Sequence, residues 1–296
     1  MEIVRELLKT LALMYVGITL ASWVATRPKF VGVLERALKP VVGNGRLSGA
    51  AVLASFSTSV AVYAARNTVR STKDAVALLL LAAFPSALAA SIQFYLPVVT
   101  PLVGLAGPVT VGAALASAAV VSLMGRVLDD NDTGSDPTLR PEVEGSPVKT
   151  ATGIFVKVAP AVTVAMIGVW IARKEGVLGY VENLVAPVVT WVGLPPAAGL
   201  VVVGCLANVA VGAALGADLM ASGKLNVWEV AVALTLGRAV SLPRIHLQFV
   251  MPPSVTFLGR RGLIAVFVRI AAESGTAVAV ALAMAGPILN HCLHRM

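Results

Sequence analysis

The sequence predicts an all-α fold: a polytopic helical membrane protein of about eight spans, built from two diverged repeats with Pro-broken helices. Three observations predict it. First, the chain of 296 residues is 57% hydrophobic and only 13% charged, with a mean hydropathy of +0.87, whereas a soluble domain carries about 25% charged residues. Second, the apolar stretches are each near the roughly 20 residues that cross a bilayer as a helix. They are not the ~10-residue alternating segments of an outer-membrane barrel. Third, one polar, Pro-containing apolar segment occurs once in each half. Residues 84–107 read FPSALAASIQFYLPVVTPLVGLAG and residues 239–262 read AVSLPRIHLQFVMPPSVTFLGRRG. At one constant offset Ser86 aligns with Ser241, Gln93 with Gln248, Phe94 with Phe249, Pro97 with Pro252, Gly104 with Gly259 and Gly107 with Gly262.

Taken in order, the expected spans are 6–25, 47–65, 74–96, 101–125, 152–172, 197–219, 228–251 and 263–289. The N-terminal stretch is too long and too charged at its start for a cleaved signal peptide and reads as the first span. Segments 28–42 and 175–192 are shorter and mixed, as interfacial or re-entrant helices are. Residues 126–149 are rich in Asp, Gly, Pro and Ser without an apolar period, which is the composition of an aqueous loop. The expected organisation is therefore a first repeat at 1–125, a polar linker at 126–149 and a second repeat at 150–296. Further matches extend the duplication. Trp23, Arg27, Glu35 and Pro40 align with Trp170, Lys174, Glu182 and Pro187 at a second offset, and Asp74 aligns with Glu229 at the first. Four spans per repeat would make the copies parallel and an odd number would make them inverted. Lys and Arg divide almost evenly between the two sides of an eight-span arrangement, which points to a re-entrant segment in each half and to inverted copies.

The net charge of +8 places cations at helix ends and in loops, where membrane topology and anionic headgroups favour them. Aromatic residues do not interleave with these cations, so nucleic acid is not an expected partner. Cys205 and Cys292 both lie in or beside apolar segments and imply no disulfide framework. The tract His291-Cys292-Leu293-His294 has no partner cluster, so no metal site and no cofactor are expected. The lipid bilayer and a small polar solute or ion are the expected partners, with a homo-oligomer left open.

The repeated segment carries the candidate chemistry. On a helix at 100° per residue, Gln93 and Pro97 lie about 20° to either side of Ser86, and Ser241, Gln248 and Pro252 form the same stripe. Proline has no N–H, so the carbonyl four residues earlier loses its helical donor. That residue is Gln93 in one copy and Gln248 in the other, so each Gln brings an amide and a freed carbonyl to one depth. Unsatisfied in hydrocarbon, such groups cost several kcal/mol each, about 4–8 for water to cyclohexane, so they face protein, water or a substrate. A Pro-kinked helix bonded to its neighbours is the structural alternative. Arg238 and Arg244 flank the second stripe, where the first copy has Ala83 and Ala89. Glu273 is the natural counter-charge, with Arg269 four residues before it as a competing partner. Intramembrane charges are functional candidates by default, with an Arg–Glu clamp or snorkelling arginines as alternatives. His246 lies off the stripe and reads as a packed or interfacial side chain. Ser57, within Ser55-Phe56-Ser57-Thr58-Ser59, and Asn208 are secondary candidates for the same cavity, although a Ser/Thr run also bonds to its own helix. Asp218 reads as a helix-end residue.

These residues resemble the membrane proteins that carry the nucleoside recognition, or Gate, domain. That domain occurs in spore maturation proteins A and B, in the B-type ferrous iron permease and in stand-alone archaeal proteins. Ser57-Thr58-Ser59, the segment 84–104 and the segment SLPRIHLQFVMPP at 241–253 carry the resemblance. It implies paired Gate repeats in a helical bundle that gates or binds a small polar solute. The chain lacks the permease's G-x-x-x-x-G-K-[ST] and a matched Cys or Met pair suited to ferrous iron. A nucleoside would use Gln and Ser hydrogen bonds and an aromatic, which Phe94 and Phe249 would supply. The expected function is a transporter-like membrane protein that binds a polar or anionic solute at the two stripes. The alternative is a non-transporting scaffold or partner subunit whose polar helices are internal packing. No H-E-x-x-H, G-x-S-x-G or paired Asp on facing segments is present, so an enzyme is not expected.

Overall fold

The computed structural model describes residues 28–130 and 192–293 continuously, with isolated positions within 1–27 and 146–189. All regular structure among them is helical. The expected spans 6–25 and 152–172, the segment 175–192 and most of the linker fall largely outside the described residues; positions 126–130 continue a helix. Three described helical runs are long and apolar enough to cross a membrane: Thr72–Ala90, Ala106–Asp129 and Val227–Gly286.

Helix α1 spans Pro28–Val42. Its Leu38 and Val42 are buried while Arg36 and Lys39 are exposed, the two-faced pattern of an interfacial helix. It stops at Gly43, which has φ 79°.

The expected spans 47–65 and 197–219 are corrected. Each is a pair of short helices joined at one extended residue. In the first half, α2 (Ser48–Val52) and a 3-10 turn (Leu53–Ser55) precede Ser57 at φ −162° and ψ 122°, and α3 (Thr58–Ala65) follows. In the second, α8 (Ala198–Ala207) and α9 (Val209–Ala221) meet at Asn208, at φ −166° and ψ 140°. Ser and Asn are favoured where a helix begins because their side chains satisfy its orphan N–H groups, and the Asn208 Oδ1 accepts from Ala210 N at 2.9 Å. The α8–α9 pair doubles back on itself. A Cβ on Gly204 would stand 2.9 Å from the Gly212 Cα, an approach only glycine permits. None of these helices is long enough to span a bilayer, which takes roughly 20 residues.

Two long polar segments follow the pairs, and they begin alike. Helix α4 (Thr72–Leu81) opens with a capping box in which Ser71 Oγ accepts from Asp74 N and the Asp74 carboxylate accepts from Ser71 N. Helix α10 (Val227–Ile245) opens with Asn226 and Glu229 exchanging the same two bonds. Such reciprocal bonds satisfy two orphan donors at once. Between α4 and α5 (Ala83–Ala90) the helix is interrupted at Ala82. Pro85 supplies no donor to the Leu81 carbonyl, and Ser122 Oγ donates to it instead at 3.0 Å while accepting from Phe84 N at 2.9 Å.

The chain does not break at Pro97 or Pro252, as the sequence suggested. It stays helical and widens into π-turns at Ser91–Val99 and His246–Val250. The N–H groups of Thr100 and Met251 reach back five residues, to Tyr95 and His246, and the wider ladder accommodates a missing donor. The interruption comes seven residues later. After α6 (Thr100–Val103), Gly104 has φ 56° and ψ −129°. Inside α11 (Met251–Leu293), Gly259 has φ 58° and ψ −137°. Helix α7 (Ala106–Asp130) follows the first break.

Two units are compact by their contacts. Residues 1–89, 119–170 and 244–271 form one, and residues 90–118, 171–243 and 272–296 form the other. The first has a core around Leu47, Leu53, Val60, Leu78, Leu81 and Val266. The second is built on Val99, Val201, Cys205, Leu234 and Ala281. The division falls inside both polar segments, so each unit takes parts of both halves of the sequence.

Candidate functional site

In the first unit, α3 packs against the π-turn His246–Val250, and the Tyr63 ring meets Phe257 edge-on at 5.3 Å. The π-turn presents Gln248, which is 7% exposed. Among the described residues its amide makes no hydrogen bond. Its backbone carbonyl has no donor from the same helix either. Pro252 and Pro253 occupy the positions four and five residues on and lack N–H groups, and Met251 N is spent on His246. Ser55 Oγ, on the helical pair that includes α3, is likewise buried without a partner among the described residues. Ser57 is half-buried at the tip of that pair and makes no side-chain cap bond.

Ser86 is also in this unit. It donates to Ala82 O at 2.7 Å and Ala83 O at 3.0 Å, and accepts from Arg269 Nη2 at 2.8 Å. Arg269, read from sequence as a partner of Glu273, thus ties α11 to α5. Arg244 is half-buried and His246 is 2% exposed. Phe249 is 40% exposed, so it stands outward while its neighbour Gln248 stands inward.

In the second unit, Gln93 and Pro97 lie within the π-turn Ser91–Val99, and α9 packs against that turn and against α6. Ser241, fully buried, donates to Arg238 O at 2.9 Å, the counterpart of the Ser86 bond to Ala83. Arg238 is 7% exposed. Its Nη1 donates to Ala114 O at 3.3 Å and Ser117 Oγ at 3.2 Å, and the buried Tyr95 lies beside the guanidinium. Arg238 therefore clamps α10 onto α7 and the first π-turn. Asn208 is exposed at the tip of the α8–α9 pair, and Asp218 is exposed in the last turn of α9. Glu273 is 5% exposed, one turn beyond Arg269 on α11. Sequence reasoning missed Tyr95, Ser117 and Ser122, while Ser55 lies in the Ser/Thr run it singled out. Ser122 had a findable signal, because Pro85 leaves a buried carbonyl in need of a donor; the others had none.

These features define an all-helical membrane protein with two polar π-turns, each followed by a glycine break. The model of the nucleoside recognition (Gate) family matches residues 155–296, which include the second polar segment and not the first. The chain is also similar to an uncharacterized protein of Methanocaldococcus jannaschii, 24% identical over 186 residues. That match spans 60% of this chain and 59% of the relative. No solved structure matches.

Proposed function

We propose that the protein is a multi-pass, transporter-like protein of the cell membrane that binds small polar or anionic solutes at the polar groups of each of its π-turns. The observation that carries this reading is Gln248: an accessible amide on a largely buried residue, with no hydrogen bond among the described residues, beside a carbonyl without a helical donor on a π-turn. Leaving such groups unpaired costs about 1–3 kcal/mol apiece, and unexplained unsatisfied groups in buried positions are a mark of ligand sites. π-bulges are themselves frequent at functional sites. A nucleoside-like solute fits an amide and hydroxyl set, and the description of the matched family supports that class. Ser55 and Ser57 are the further candidate recognition groups of the first unit, and Gln93 and Asn208 are those of the second. Arg238, Arg269 and Ser86 hold helices together and set the frame, with Glu273 and Arg244 tuning the charge nearby.

The matched caps, extended tips, π-turns and glycine breaks support descent from one duplicated unit, with 1–125 and 150–296 as the two copies. The test is a thermal-shift screen of the detergent-purified protein against nucleosides, organic anions and metal ions. A nucleoside or organic anion is expected to raise the melting temperature, and Gln93→Ala and Gln248→Ala are expected to remove that response. Responses left intact in both variants would sink the assignment.

A further inference from the structure

The helical run Val227–Gly286 holds 60 residues. At about 1.5 Å per residue it measures roughly 90 Å along the chain, about three times the ~30 Å hydrocarbon layer of a bilayer. A run of that length turns back at a membrane surface. Gly259, at φ 58° and ψ −137°, breaks α11, and a Cβ on Gly262 would meet the Ser254 carbonyl. The helical turn after the break lies against the turn before it.

Arg260 and Arg261 follow the break directly, and both are exposed. Between Arg244 and Arg269 the sequence has no other Asp, Glu, Lys or Arg. Apolar side chains stand outward on both sides of the pair: Val255 before it, and Leu263, Ile264 and Phe267 after it. In a membrane protein such an outward apolar surface meets lipid tails. Exposed guanidiniums are costly in that layer and reach for its headgroup boundary. At the offset that aligns the two halves, the positions of the pair hold Leu105 and Ala106 in the first copy, and Leu105 is 75% exposed. A glycine break of this kind forms without cations, so the arginines answer to the surroundings of this one.

The depth that results suits the polar π-turn of the same unit. Gln248 lies 11 residues before Gly259, roughly 16 Å along a helix. Half of the hydrocarbon layer is about 15 Å. A tip at the headgroup boundary puts Gln248 near the midplane, the depth at which transporters place their sites.

We infer that Arg260 and Arg261 dock the tip at Gly259 on anionic phospholipid headgroups and so hold Gln248 near the bilayer midplane. The arginine fork matches phosphate oxygens, and an anionic lipid surface attracts basic residues beside it. The headgroup contact holds whether or not Gln248 takes a solute, so this proposal and the solute site fail separately. The full chain carrying Cys292→Ser is labelled with bimane at Leu263→Cys; Cys205 is fully buried. It is reconstituted in phosphatidylcholine vesicles doped, at equal mole fraction, with phosphatidylglycerol or phosphatidylcholine bearing a nitroxide near the top of the acyl chain. The phosphatidylglycerol probe is expected to quench the label at least twofold more strongly, and added salt is expected to narrow the difference. Arg260→Gln with Arg261→Gln is expected to bring the two lipids level, and Arg260→Lys with Arg261→Lys to keep most of the preference. A label at Leu105→Cys is expected to show no preference. Nitroxides near the end of the acyl chain are expected to quench a label at Phe249→Cys better than shallow ones, and a label at Leu263→Cys worse. Equal quenching by both lipids at Leu263→Cys, a preference kept in the Gln variant or matched at Leu105→Cys, or deeper quenching at Leu263→Cys than at Phe249→Cys would overturn the inference.

Discussion

Gln248 and Arg238 are both buried polar side chains on one long helical run, and their surroundings assign them opposite work. Arg238 has partners on every side that matters: Ser117, the Ala114 carbonyl and Tyr95. Gln248 has none among the described residues. Removing a partnered buried charge leaves its acceptors stranded, so Arg238→Ala is expected to cost about 2 kcal/mol or more, read as a lowered melting temperature. Arg238→Lys is expected to recover little, because an ammonium does not reproduce the fork. Removing an unpartnered amide strands no acceptor. Gln248→Leu is expected to change stability by less than about 1 kcal/mol while abolishing any solute response. The helical wheel placed Ser86, Gln93 and Pro97 on one stripe and gave the freed carbonyl of Gln248. It could not distinguish these two fates, because Tyr95 and Ser117 reach Arg238 from distant parts of the chain.

At the level of elements, the backbone breaks sit at glycines rather than prolines. Gly104 and Gly259 occupy the same region of positive φ and strongly negative ψ, and nothing lies within 4 Å of a Cβ built on either. The cost of alanine there is therefore conformational and not steric. Gly104→Ala and Gly259→Ala are each expected to destabilise by about 1–3 kcal/mol, measured by chemical or thermal unfolding. At Gly212 the opposite holds, since a Cβ would meet Cys205 and the Val201 carbonyl. Gly212→Val is expected to open the α8–α9 pair, read as faster proteolysis within 198–221. The glycine positions were legible in the sequence because a turn residue in register twice is informative. The tips at Ser57 and Asn208 were not legible as breaks. Apolar residues run on both sides of each tip, so a doubled-back pair and a single span have the same composition. Only the packing of Gly204 on Gly212 tells them apart. Likewise, Pro97 and Pro252 announced a lost donor truly, but the sequence does not say whether a helix answers by breaking or by widening.

For the whole molecule, the class was legible from composition alone, and the described spans Thr72–Ala90, Ala106–Asp129 and Val227–Gly286 carry that composition. The even spread of Lys and Arg, awkward for eight simple spans, is what short paired helices that do not cross would produce. The protein is expected to resist carbonate extraction and to require detergent for release from membranes, since ~20-residue apolar helices do not leave a bilayer for water. Recognition of a polar solute at the π-turns is open to test by reconstituted uptake. Proteoliposomes bearing the wild type, Gln93→Ala or Gln248→Ala would be supplied with labelled nucleosides and organic anions. Saturable uptake by the wild type, and its loss in both variants at unchanged helical content, is the expected result. Uptake equal in all three, or absent from the wild type for every solute of these classes, would contradict the claim.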